Sequence, residues 1–136
     1  MKLKICLITL LCFICLVFSA QQAFAQDAQT AADSWLQLID AKQYDQSWTA
    51  SSQGLKNMFN QFAWGIRTQA LKAPYGNLET RTLVNTESKS SIENLPAANY
   101  IVLTYNSKYS LEEVTEEVIL KEDAPDQWKV VLYNIK

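Results

Sequence analysis

The chain has 136 residues, with twelve Lys or Arg against fourteen Asp or Glu, a net charge of −2 and no histidine. A mildly acidic chain without a Lys/Arg cluster carries no electrostatic footprint for nucleic acid or for an anionic membrane surface. Without histidine the commonest general base and metal ligand is missing, which excludes Ser-His-Asp and Cys-His hydrolases and the usual zinc hydrolases.

The N-terminus reads as a targeting segment. A short basic start, Met1-Lys2-Leu3-Lys4, leads into the apolar run Ile5 to Ala20 and the small-residue ending Ala23-Phe24-Ala25. That is the layout of a secretory signal peptide over residues 1–25, cleaved after Ala25. The competing reading, an uncleaved anchor, needs roughly 20 apolar residues, and this run is shorter. A lipid anchor is disfavoured because Cys12 and Cys15 sit inside the run without small residues before them. Cleavage removes Cys6, Cys12 and Cys15 together with Lys2 and Lys4, taking the net charge from −2 to −4. The expected mature chain, one domain over 26–136, therefore holds no disulfide and must rely on its core, for which it is long enough. It has no calcium loop, and its glycines are only Gly54, Gly65 and Gly76, too few and too scattered for a phosphate-binding loop. No metal or cofactor is expected. Carboxylate, tyrosine or lysine chemistry remains open.

The elements come as helices first and strands second. Ala28, Ala32, Trp35 and Ile39 recur at helical spacing, with Asp27 as the expected N-cap and a stop near Ala41. Tyr44 to Trp48 starts a second short helix, and Leu55, Met58 and Phe59 form an apolar cluster after the Ser51–Gly54 break. Asn60 is placed to cap a further helix through Leu71, on which Phe62, Ala63, Ile66 and Ala70 share the face expected to be buried. Pro74 and Gly76 end it. From Leu78 the period changes to two. Strands are expected at Thr80–Val84, Tyr100–Tyr105, Tyr109–Lys121 and Trp128–Ile135, with Lys89–Asn99 as a loop and Glu122–Asp126 as a turn. This order predicts an α+β domain: N-terminal helices packed on a curved antiparallel meander.

Few side chains carry a chemical claim. Trp35 and Trp48 are read as core aromatics at a break between two helices rather than as a stacking platform. Asp40 and Ser47 are expected to cap and bridge that break. Tyr100, Tyr105, Tyr109 and Tyr133 are candidate pocket donors, with Tyr75 at the rim, although any sheet favours tyrosine. In the run Glu112-Glu113-x-x-Glu116-Glu117, parity sets Glu116 with Val114, Val118 and Leu120 on an apolar face. A carboxylate there is costly unless paired. Arg81, on the face of Leu83, is the expected partner, so the two form a candidate pocket or structural ion pair.

The run Trp35-Leu36-x-Leu38-Ile39-Asp40, then Tyr44-x-x-Ser47-Trp48, resembles a family of small secreted bacterial proteins labelled domain of unknown function 4019. The similarity continues through Phe59, Trp64, Arg67, Pro74-x-Gly76, Arg81, Leu95-Pro96, Tyr100-Ile101-Val102-Leu103, Glu116-x-Val118 and Trp128-Lys129-Val130 to Tyr133 and Ile135. Lys42-Gln43 stands where the pattern has a glycine-containing turn, and Ala97-Ala98-Asn99 shortens a glycine-rich loop. The resemblance implies a cystatin-like or nuclear-transport-factor-2-like cone and a periplasmic location in a Gram-negative bacterium. It implies no activity, because that architecture hosts enzymes and binders alike. Two functions follow. The preferred one is a non-catalytic envelope module that binds a small apolar ligand or another protein. The other is an enzyme shaped like ketosteroid isomerase, with Glu116 as base and a tyrosine as oxyanion donor. A filled interior with Glu116 paired favours the first; an open pocket holding it free favours the second.

Overall fold

The apolar stripe that begins at Ala28 forms a helix, α1 (27–40), in a computed structural model that describes residues 25 and 27–136. The rest of the expected leader, its three cysteines and the Gln26 side of the expected cleavage site lie outside the described residues. Ala28, Ala32, Trp35, Leu36 and Ile39 of α1 are buried. Asp27 is already helical, so it is not the expected N-cap. The C-terminal end closes as a Schellman turn: Gln43 N–H donates to the Leu38 carbonyl (2.8 Å) and Lys42 N–H to that of Ile39 (3.0 Å). Lys42 takes the left-handed position of that turn, with φ +58°. A side chain in that conformation is mildly strained.

Three further helices follow, α2 (Tyr44–Ala50), α3 (Gln53–Met58) and α4 (Gln61–Lys72), then a 3-10 turn at Ala73–Tyr75. Ser52 caps α3 by accepting from Leu55 N–H, and Asn60 caps α4 by accepting from Ala63 N–H. The face of α4 differs from expectation. Trp64 and Thr68 are buried, whereas Phe62 and Ile66 are exposed. Hydrophobic spacing favours the Phe62/Ile66 face, but Trp64 has the larger side chain and a partner for its N–H, donated at 2.9 Å to the buried Ser47 Oγ. Gly76 then turns the chain with φ +81°, lying so close to Ser110 that a Cβ would stand 2.2 Å from its Oγ.

The strands β1 (Leu78–Lys89), β2 (Tyr100–Tyr109), β3 (Glu113–Ala124) and β4 (Gln127–Ile135) form one antiparallel sheet in sequential order. The fold is α+β as expected, with helices preceding an open four-stranded meander. The span Tyr109–Lys121, read as one strand, is divided instead: Tyr109 ends β2, and a turn precedes Glu113. That turn, Ser110-Leu111-Glu112, has neither Gly nor Pro to announce it. One sheet face packs on the helices through Ile101, Leu103, Tyr105, Val118, Leu120 and Tyr133. The other carries Tyr100, Val102, Ile119 and Val131, covered by Ile92, Leu95 and Ala98 of the 90–99 loop.

A bulge sets what faces the helices on β4. Leu120 pairs with Val130 and Ile119 with Leu132, so Val131 is the extra residue. Val130 and Tyr133, three apart, can then share the helix face, which strict alternation forbids. The outer edge of β4 is closed by the helices, since Ser52 N–H donates to Val130 O (2.8 Å) and Arg67 Nη2 to Tyr133 O (3.2 Å).

Candidate functional site

Glu116 lies on β3, opposite Tyr105 of β2 and Ile135 of β4, on the helix face of the sheet. Its side chain is 0% exposed. Arg81 lies on β1 opposite Ser107, so β2 separates the two residues. Two strand spacings are about 9–10 Å, a distance that an extended arginine spans. Arg81 Nη2 reaches Glu116 Oε1 at 2.9 Å and Oε2 at 3.1 Å, and Nε reaches Oε1 at 3.1 Å. Tyr109 O–H donates to Oε1 (2.8 Å) and Tyr133 O–H donates to Oε2. Both carboxylate oxygens are saturated.

The guanidinium serves a second acid. Asp40, the last residue of α1, accepts from Arg81 Nη1 at 2.7 Å and from Nη2 at 3.1 Å. Lys72, the last residue of α4, donates to Asp40 Oδ1 at 2.7 Å and stands 5.1 Å above the Tyr109 ring. A carboxylate at a helix C-terminus opposes the helix dipole, and two cations offset that here. Two carboxylates and two cations make a neutral network that joins α1, α4 and all four strands. Asp40 was expected to cap the helix break and does not; Gln43 occupies the N-cap of α2, with no side-chain cap bond. Ser47 lies inside α2, where Oγ donates to Tyr44 O and accepts from Trp64, and its carbonyl accepts from Trp35 Nε1.

The electrostatics follow from this wiring. Burial pushes the Glu116 carboxyl up, but the Arg81 charge, aided by the Tyr133 and Tyr109 hydroxyls, outweighs it and holds the group below the usual carboxylate range. Asp40 is likewise lowered, burial being outweighed by Arg81 and Lys72. Tyr109 and Tyr133 are pushed up, first by burial and then by the Glu116 charge. Arg81 is raised, because its two carboxylates more than offset burial. Near neutral pH the carboxylates are therefore charged and the tyrosines are protonated donors. None of these groups is poised to exchange a proton there.

The other candidates are dispersed. Tyr105 shares the helix face but donates to Asp33 Oδ1 at 2.9 Å. Tyr100 lies on the opposite face, its hydroxyl bonded to Pro96 O. Tyr75 is half-buried, its ring 6.0 Å from that of Tyr109. Asp40 and Lys72 had not been expected in a site. Asp40 falls four residues after Leu36 and Lys72 eight after Trp64, so both lie on buried helix faces, and for Lys72 that signal was hidden by the inverted face of α4. Among the described residues no cluster of three or more acidic side chains could hold a metal ion.

Two clefts lie at opposite ends of the strands. One, of about 460 Å³, opens beside Asp40, Lys72, Gly76 and Tyr109. The other, of about 670 Å³, lies at the far end of the strands and is lined by Ser88, Lys89, Tyr100, Ile101, Glu122 and Trp128. The Trp128 indole N–H is buried without a hydrogen-bond partner.

No curated protein matches the chain. A family profile does, across residues 31–133, which takes in both carboxylates, both cations and both tyrosines of the network. The chain belongs to the family described as protein of unknown function DUF4019.

Proposed function

We propose that this is a non-catalytic binding module of the bacterial cell envelope, exported to the periplasm, which holds a small, largely apolar ligand in the cleft beside Trp128. One observation carries the non-catalytic part: Glu116, the inward carboxylate with the strongest claim to act as a base, is fully buried and saturated by Arg81, Tyr109 and Tyr133. A base needs a free lone pair within reach of a substrate proton, and this one has neither. The Trp128 cleft offers an apolar wall from Ile101 and the indole, with Lys89, whose ammonium pairs with Glu87, and Glu122 among its polar lining. Such a mixture suits an apolar body with a polar or anionic end.

Support for export comes from the basic start, the apolar run and the Ala23-Phe24-Ala25 ending. Intact-mass measurement of the exported protein is expected to give a chain beginning at Gln26; a membrane-bound species retaining Cys6 to Cys15 would overturn that. Ligand binding is tested with the dye anilinonaphthalene sulfonate, which is apolar with one anionic group. Saturable fluorescence at one dye per chain is expected, and it should disappear in Ser88→Trp, which fills the cleft from an exposed position, with the thermal melt unchanged. Absence of saturable binding, or unaltered binding by the variant, would overturn the assignment.

A further inference from the structure

The cleft beside Asp40 and Lys72, of about 460 Å³, is separate from the Trp128 cleft and unused by the binding reading. Its floor is an ion pair at 2.7 Å, with the Lys72 side chain 12% exposed and that of Asp40 24%. The acid there is largely spent. Oδ1 accepts from Lys72 and from Arg81 Nη2, and Oδ2 accepts from Arg81 Nη1, which leaves one lone pair between the two oxygens.

Donors, by contrast, are in surplus. Lys42 and Tyr44 line the same cleft, and neither the ammonium nor the hydroxyl has a partner among the described residues. Burial and then the Asp40 charge push the Tyr44 hydroxyl up, so it stays a protonated donor. The amides of Gln69 and Asn77 both donate and accept, and so favour neither sign. The network of Arg81, Lys72, Asp40 and Glu116 is neutral, and Lys42 adds one positive charge. Two helix C-termini nearby would oppose an anion, but their carbonyls are occupied. Those of Gln37, Leu38 and Ile39 accept from Ala41, Gln43 and Lys42, and that of Gln69 accepts from Ala73. Ile39 and Leu78 add apolar wall.

We infer that this cleft is a second binding site, for a small organic carboxylate, held by Lys42 and Tyr44 with its carbon body against Ile39 and Leu78. Benzoate, benzyl alcohol and benzylamine share one body and differ in charge, so they test it. Amide resonances of the exported protein are followed by NMR over roughly 10 μM to 10 mM of each probe. Benzoate is expected to shift those of 39–44 and 69–78 saturably, with the alcohol and the amine about tenfold weaker. Lys42→Gly removes the ammonium and suits the left-handed backbone at φ +58°. Tyr44→Phe removes only a hydroxyl that has no partner to lose. Each should weaken benzoate by roughly threefold and the two together by about tenfold, with no fall in the thermal melt. Ser88→Trp should leave benzoate binding unchanged, which separates this site from the Trp128 cleft. No saturable shift, or shifts centred elsewhere, would overturn the inference. So would an alcohol or amine that binds as tightly as benzoate, or an affinity indifferent to both substitutions.

Discussion

Arg81 is the residue on which the interior depends. It cannot shed its charge, so it must be met by acids wherever it is buried, and Glu116 and Asp40 both meet it. The pH dependence follows with a definite sign. Both carboxyls are lowered when folded, so their contribution is fully present above the ordinary carboxylate range and is lost as pH falls through their lower folded values. Arg81→Met reverses the sign for Glu116, because burial is the largest influence on it and would now act unopposed by Arg81. A raised folded value contributes stability below the ordinary range and loses it as pH rises through the new value. Urea midpoints at pH 7 and pH 4.5 should therefore show the gap between the native protein and Arg81→Met narrowing on acidification. A gap that stays constant or widens would mean that Glu116 does not take up a proton in the variant.

Elements record how far local pattern can be read. The stripe on α1, the cap at Asn60 and the stop at Gly76 are set by neighbours in sequence, and they were legible there, whereas Ser52, read as part of a break, caps α3. Parity also brought out Glu116 and Arg81, since a charge among Val114, Val118 and Leu120 needs an explanation. The buried face of α4 was not legible. It is chosen by where Trp64 finds Ser47, a contact between two helices, and the more hydrophobic Phe62/Ile66 face stays outside. That inversion also hid Lys72, which lies on the Trp64 side. The 110–112 turn was missed for a simpler reason: its tip is the exposed Leu111, which reads as one more strand residue. Tryptophan truncations test the element scale. Trp64 is buried and bonded to Ser47, so Trp64→Ala should cost about 3–5 kcal/mol. Trp48 is half-buried, with its indole donating to Phe59 O at 2.7 Å, and Trp48→Ala should cost less. Urea unfolding of both variants checks the order. Equal losses would mean that Trp48 is as deeply committed to the core as Trp64.

At the scale of the whole molecule, the network acts as a clamp. It draws the C-terminal ends of α1 and α4 onto one end of the sheet through β1 to β4, and it spends the best candidate base in doing so. The far end of the strands keeps the Trp128 cleft. Under the proposed function, architecture and recognition occupy different parts of a small domain. This rests on Arg81 and Glu116 acting as one unit. A double-mutant cycle with Arg81→Met, Glu116→Leu and the pair, unfolded in urea at neutral pH, tests it most directly. Removing one partner of a buried pair should cost about 3–5 kcal/mol, and replacing both should cost much less than the sum, giving strong coupling. Near-additive losses would mean that the two side chains do not meet, leaving Glu116 available as a base and contradicting the account.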